Sequence, residues 1–264
     1  MKNKVIAICY DFDHTLSPCD MQSISIIPSF GISSEEFWKE SNKMAKLNGM
    51  DTNLAWMYKI MIYSHMLDKS TTRKSFFEIG KTIPLYKGLD TWFDNINQYG
   101  LDKGLTVEHY VISSGLKEII EGTSIASKIT RIYASTYLYS SDGVAIWPAQ
   151  AVNYTNKTQF LFRISKGYFD ECDSRVNDLV SQDKVHVPFE NMIYIGDSAT
   201  DIPCMKLVKK YGGCSIGVYD TTKNNPSVVG KLFDDGRLSC FAPANYEKGS
   251  DLYNKVCEVI DSKA

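Results

Sequence analysis

"VIAICYDFDHTLSPCD", residues 5–20, runs an unbroken apolar stretch from Val5 to Tyr10 straight into Asp11 and Asp13. An apolar run of this length that stops at polar residues is the pattern of a strand buried on both faces. Carboxylates at its lip then sit at the strand's carboxyl end, where open α/β sheets form their ligand crevice. Residues two apart on an extended backbone share a side, so both carboxylates face one ligand and repel each other unless a cation or a proton intervenes. A hard divalent ion is the natural remedy. Taken alone, Asp-x-Asp is a short pattern that equally fits two exposed loop acids, one of them capping a turn.

Further apolar runs at 110–113, 131–135, 192–195 and 214–219 alternate with helical patterns at 115–122, 157–167, 200–210 and 249–262. Strands alternating with helices predict right-handed crossovers and an α/β fold, a Rossmann-like parallel sheet between two helical layers. The exception is TYLYSSDGVAIW, residues 136–147, whose β-rich arms flank Ser-Ser-Asp-Gly and predict a hairpin. Residues from 18 onward differ again. SSEEFWKESNKMAKLNG (33–49) opens on a candidate serine cap and closes on Asn-Gly, and DTNLAWMYKIMIYSHMLDKS (51–70) opens on Asp51, so both read as helices. The expected organisation is an α/β core over residues 1–17 and 88–264 with a mostly helical cap, 18–87, inserted after the first strand. Five of the nine methionines fall between positions 44 and 66 of that insert, as a soft pocket or as ordinary helix-packing core.

The chain has 264 residues, 44% of them hydrophobic, enough for a full core. Its 29 basic and 31 acidic side chains give a formal net charge of -2 and no reason to expect nucleic acid or an anionic membrane as partner. The N-terminal apolar stretch is interrupted too soon for a secretory signal or a spanning helix, so the expected compartment is the cytoplasm. Seven scattered cysteines without a Cys-x-x-Cys pair read as reduced thiols, with Cys9, Cys214 and Cys240 as small buried hydrophobes. Nothing here addresses oligomeric state.

MIYIGDSATD, residues 192–201, repeats the layout of an apolar strand ending in acids, here Asp197 and Asp201. Magnesium takes one or two carboxylates together with water and substrate phosphate, so Asp11 and Asp197 suit it if their strands are neighbours. A phosphoryl group also needs donors and positive charge around its oxygens. HYVISSG (109–115) supplies the Ser113 and Ser114 hydroxyls and the Gly115 amide, read as the start of a helix, and Lys157 supplies a fixed charge.

The ordered series DFDHT (11–15), VISSG (111–115), Lys157 in NKTQFL and GDSATD (196–201) resembles the four motifs of the haloacid dehalogenase superfamily of phosphohydrolases, in particular its phosphoserine-phosphatase-like branch with a helical cap after the first motif. The resemblance covers nearly the whole chain. It implies a magnesium-dependent phosphatase acting on a small phosphorylated metabolite, with Asp11 as the nucleophile that forms an aspartyl-phosphate. It further implies Asp13 as acid/base, the Asp11 and Asp197 side chains with the Asp13 carbonyl as metal ligands, and Ser114, with Ser113 as the fallback, on the phosphate. Lys157 would neutralise phosphate and nucleophile, and Asp201 would orient the lysine or a water. An acid at position 13 argues for a phosphatase or a phosphomutase, because the superfamily's dehalogenases lack one there. His14 stands where a small residue is more usual, and Asp20 lies near the acid that meets the substrate amine in phosphoserine phosphatases. The second motif is poorer in glycine than theirs. Phosphoryl transfer to a sugar hydroxyl, or a phosphate-binding module without turnover, remain alternatives.

Overall fold

The computed structural model describes residues 4–222 and 226–264. Seven strands, β1 (Lys4–Tyr10), β2 (Leu105–Leu116), β3 (Arg131–Tyr139), β4 (Ala145–Gln150), β5 (Met192–Gly196), β6 (Cys214–Tyr219) and β7 (Cys240–Pro243), form one sheet in the order β4-β3-β2-β1-β5-β6-β7. All pairings are parallel except the β3–β4 hairpin. The chain builds β2 and β3 on one side of β1 and then crosses to place β5 on the other. The strand order therefore reverses between β1 and β5, which makes their carboxyl ends the switch point where a crevice opens.

The helices are α1 (Ile27–Ser29), α2 (Ser34–Asn48), α3 (Thr52–Met66), α4 (Arg73–Gly80), α5 (Leu89–Asp102), α6 (Lys117–Gly122), α7 (Thr158–Lys166), α8 (Ile202–Lys210), α9 (Ser227–Asp234) and α10 (Asp251–Asp261). Alternation along β1 sorts them into layers. Ile6, Ile8 and Tyr10 point into a core shared with α5, α6 and α10, while Ala7 and Cys9 point into one shared with α7, α8 and α9. The result is a three-layer Rossmann-like α/β/α arrangement. The caps are as predicted: Ser33 accepts from the Glu36 N–H, Asp51 from those of Asn53 and Leu54, and Gly49 ends α2 at φ 60°. No described helix is long and apolar enough to cross a membrane.

The helices between β1 and α5 pack onto the first of these cores through Ile27, Phe37, Trp56, Met57, Ile60 and Phe76. They are also tied to the rest of the chain by polar contacts. Tyr86 N–H donates to the Leu16 carbonyl at 3.0 Å, joining the entry and exit segments, and the Tyr246 hydroxyl donates to the Thr15 carbonyl at 2.7 Å. At the far end, Asn53 Nδ2 donates to the Val152 carbonyl and Thr72 forms a bridge with Val144 of the hairpin turn. All seven cysteines are free thiols; Cys9 is buried as expected, whereas Cys214 and Cys240 are only half-buried.

Two boundaries differ from the sequence reading. The run at 131–135 and the first arm of the hairpin are one continuous strand, β3. The strand read as 110–113 is more than twice as long, because it begins at Leu105 with polar residues that find partners. Trp92 Nε1 donates to the Tyr10 hydroxyl (2.8 Å), which lies 3.0 Å from His109 Nδ1, and His109 Nε2 lies 3.0 Å from Asn97 Oδ1. With the tyrosine hydroxyl already accepting from Trp92, it donates to Nδ1, so the imidazole is neutral and carries its proton on Nε2.

Burial depresses the His109 pKa to about 3 from an ordinary 6.5. The unfolded chain thus takes up a proton below about pH 6.5 that the folded protein refuses, and stability falls with pH over the window from 6.5 down to 3. The slope attributable to this residue is about 1.4 kcal/mol per pH unit. Urea unfolding at pH 7 and pH 5 should show this loss in the parent protein, and His109→Gln should show a loss smaller by roughly 2 kcal/mol. Equal losses in the two proteins would remove His109 as the cause.

Candidate active site

β1 and β5 are hydrogen-bonded neighbours, with Tyr10 opposite Ile195, and the Asp11 N–H continues the pairing by donating to the Ile195 carbonyl at 2.9 Å. This extension sets Asp11 beside the loop that carries Asp197. Carboxylate oxygens of Asp11, Asp197 and Asp201 all lie within 4.8 Å of one another. The requirement that two strands be adjacent is met.

Lys157 is delivered from the opposite side. A capping box between Asn153 and Asn156 shapes a 3₁₀ turn, Tyr154–Lys157, that leads into α7 and turns the lysine inward, where it is fully buried. Its Nζ is 3.2 Å from Asp11 Oδ1 and 2.8 Å from Asp201 Oδ1. Asp201 is held in turn by the Tyr194 hydroxyl at 2.8 Å and the Ser198 N–H at 3.3 Å. It ends the 3₁₀ turn Ala199–Asp201, and α8 starts one residue later, which agrees with a helix opening near this acid. Gly196 is what admits it. A Cβ there would stand 2.6 Å from the Asp201 carboxyl carbon, so any side chain at the strand end would displace the acid.

Three carboxylates against one buried ammonium leave two negative charges in excess. Burial, followed by the charge of Asp201, pushes the Asp11 carboxyl up to about 7 in spite of Lys157. Asp197 is raised for the same reasons, burial first and then the charges of Asp201 and Asp11. Burial works against the charge on Lys157, but Asp11 and Asp201 outweigh it and hold the ammonium above its ordinary value. Such a cluster of oxygen donors with surplus charge suits a hard cation. Asp11 Oδ1 is occupied by the Phe12 N–H (2.7 Å) and Lys157, while Thr15 Oγ1 donates to Asp197 Oδ1 at 3.3 Å.

Asp13 stands apart from this trio. Its Oδ1 accepts the Met21 N–H at 3.1 Å, and its carboxyl lines a cavity of about 170 Å³ together with Asp20, Ser114 and Gly115. Burial, and then the charges of Asp20 and Asp11, raise its pKa well above the usual carboxylate range. Ser114 Oγ is buried without a hydrogen-bond partner, whereas Ser113 Oγ accepts from the Gly115 N–H at 3.0 Å. The expectation that the Gly115 amide opens a helix is therefore corrected. β2 runs on through an irregularity to Leu116, α6 starts at Lys117, and the amide is consumed by the serine two residues earlier. What Gly115 makes room for is Met21, whose Cε lies 2.3 Å from where a Cβ would be. His14, in the left-handed region at φ 58°, hydrogen-bonds through Nδ1 to the Pro18 carbonyl at 3.2 Å and lines a second cavity with Asp197 and Ser198.

Sequence reasoning missed Tyr194, which reads as one more apolar strand residue, and it missed Trp38 and Trp56, which line the cavity beside Asp13. The methionines between 44 and 66 do not line that cavity.

Comparison with known proteins bears on the fold. No family model matches the chain. A Borreliella burgdorferi protein that is itself uncharacterized is 27% identical, over 98% of each chain. Among solved structures, a haloacid dehalogenase-family hydrolase from Salmonella enterica serovar Typhi aligns with a TM-score of 0.56 at 21% identity, covering 85% of this chain and 64% of that one. A phosphoserine phosphatase held as a phospho-aspartyl intermediate analogue aligns at 0.55 and 17%, covering 96% and 97%. A probable phosphoserine phosphatase from Vibrio cholerae aligns at 0.60 and 15%, covering 99% and 67%. The fold is thus the haloacid dehalogenase type in its phosphoserine-phosphatase-like form.

Removing the ammonium would leave buried carboxylates facing one another. Lys157→Met should cost about 3 kcal/mol at pH 8 in chelator. Unpaired carboxylates with raised pKa values bind protons more readily in the folded than in the unfolded state, so the deficit should shrink as pH falls towards 5.5. Chemical denaturation at the two pH values checks this, and a deficit that grows on acidification would contradict the charge assignment.

Proposed function

We propose that this chain is a magnesium-dependent phosphomonoesterase that works through an aspartyl-phosphate on Asp11, with residues 18–87 as a cap that excludes water and selects the substrate. The observation that carries the reading is the division of labour on Asp11. Lys157 and the Phe12 amide both engage Oδ1. Oδ2 is then the oxygen left to attack phosphorus in line with the leaving group.

As the Asp11 Oδ2–P bond forms, the bond from phosphorus to the ester oxygen breaks. Asp13 donates its proton to that oxygen, for which a carboxyl held well above the ordinary range is suited. In the second half Asp13, now ionised, takes a proton from water as the water oxygen attacks phosphorus, releasing phosphate and restoring Asp11. Lys157, held charged, and the unpartnered Ser114 hydroxyl would stabilise the phosphoryl oxygens. Asp201 positions Lys157 and is itself positioned by Tyr194. The Asp11 and Asp197 carboxylates with the Asp13 carbonyl would hold magnesium, which when bound neutralises the surplus charge of the site and of the phosphoryl group.

With magnesium, the protein should release p-nitrophenolate and inorganic phosphate from p-nitrophenyl phosphate, and chelator should abolish release. Asp11→Asn should lower kcat by at least about 10³-fold, consistent with loss of a nucleophile. Asp13→Asn should slow turnover and allow a phosphorylated protein to be trapped by rapid acid quench. Full activity in Asp11→Asn would sink the nucleophile assignment, and a phosphorylated acceptor without free phosphate would replace hydrolysis by transfer.

A further inference from the structure

The cavity that opens from Asp13 and Ser114 is walled by Asp20, Gln22, Trp38, Asn53 and Trp56, and it contains no lysine or arginine among its described lining residues. If phosphorus is attacked between Asp11 and Asp13, the leaving group enters this space. The volume, about 170 Å³, is below the roughly 300 to 1,000 Å³ of pockets that take drug-sized ligands, so the group is small. A leaving group bearing a carboxylate or a second phosphate would be placed next to two acids with no cation to meet it.

The wall has the opposite chemistry. Trp56 is 97% buried, and Trp38 is pinned by an N–H bond to Ser23 Oγ at 2.9 Å and by edge-on contact with Phe37 at 5.3 Å. Asp20 sits with them, its Oδ1 accepting the Ser23 N–H at 3.0 Å. Asn53, whose Nδ2 is given to Val152, keeps its carbonyl as an acceptor. Two indole rings beside a fixed carboxylate attract an ammonium group, since the ring quadrupole and the counter-charge act together in a desolvated space.

Building on the phosphatase reading, we propose that the substrate is the phosphate monoester of a small ammonium-bearing alcohol without a carboxylate, of which choline and ethanolamine phosphates are the simplest examples. Phosphoserine is excluded as the preferred substrate by its carboxylate.

The test compares phosphate release, with magnesium, from phosphocholine, phosphoethanolamine, phosphoserine, p-nitrophenyl phosphate and 3,3-dimethylbutyl phosphate, the uncharged isostere of phosphocholine. The expected kcat/KM for the better ammonium ester is at least tenfold above the isostere and at least 100-fold above phosphoserine. Trp56→Leu and Asp20→Asn, with folding checked by circular dichroism, should reduce the first ratio below threefold. An ammonium-to-isostere ratio near one in the parent protein, a preference for phosphoserine, or variants that keep the full ratio would overturn the proposal while hydrolysis of the aryl ester upheld the phosphatase reading. If no ester is hydrolysed, that reading falls and tryptophan fluorescence of Asp11→Asn decides the pocket. Tighter binding of phosphocholine than of its isostere sustains it, and equal binding overturns it.

Discussion

The structure turns on a fully buried ammonium, Lys157, shared by Asp11 and Asp201. An isolated lysine would lose its charge at such a depth, so both carboxylates are needed to keep it cationic. This requirement couples three remote segments of chain: the end of β1, the turn before α7, and the stretch from the end of β5 to the start of α8. Gly196 leaves room for the Asp201 carboxyl, and Tyr194 and the Ser198 amide fix its oxygens. The same contacts leave Asp11 with one engaged oxygen and one available oxygen. The charge balance of the cluster is therefore set by a single bridge.

Most of the frame was legible in the sequence because its signals are local. The apolar runs before Asp11 and Asp197 needed no context to be read as strands, and the caps at Ser33, Asp51 and Gly49 follow from residue chemistry alone. The failures share a cause. Residues 105–109 did not read as strand because Glu108 and His109 are polar, and only pairing with Tyr110, His186, Tyr10 and Asn97 makes them tolerable there. Gly115 was read as opening a helix, yet β2 runs on to Leu116 and the Gly115 N–H is taken by the Ser113 hydroxyl two residues earlier. The motif acids and Lys157 could be named from their spacing, but Tyr194, Trp38 and Trp56 look like ordinary core residues until the fold brings them beside the acids.

The helices between β1 and α5 add the element that spacing could not supply, a wall for the cavity. Their attachments are uneven. The far end is bound to the hairpin by the bridge from Thr72 to Val144 and to the segment after it by Asn53 to Val152 and by Asn153 to Thr52 at 3.0 Å, while α4 lies against α6. The near end is a narrow neck in which Leu16 meets Tyr86 and Tyr246 meets both Thr15 and Lys87. Between the two, the segment from Met21 to Ser23 reaches the site itself, since the Met21 amide rests on Asp13 Oδ1 and Ser23 holds both Asp20 and the Trp38 indole.

That segment links Asp13 to the cavity wall. Asp13 Oδ1 accepts the Met21 amide, and the same turn of chain holds Asp20 and Trp38 beside the cavity through Ser23. A shift of residues 21–23 would thus move Asp13 and the cavity wall together. On the proposed phosphatase reading, a substrate that filled the wall would hold the turn in place and with it the alignment of Asp13, so that binding energy spent away from phosphorus would appear in kcat as well as in KM. On that reading a cavity this small, built on a turn that also grips the acid, would make the identity of the leaving group part of the catalytic geometry.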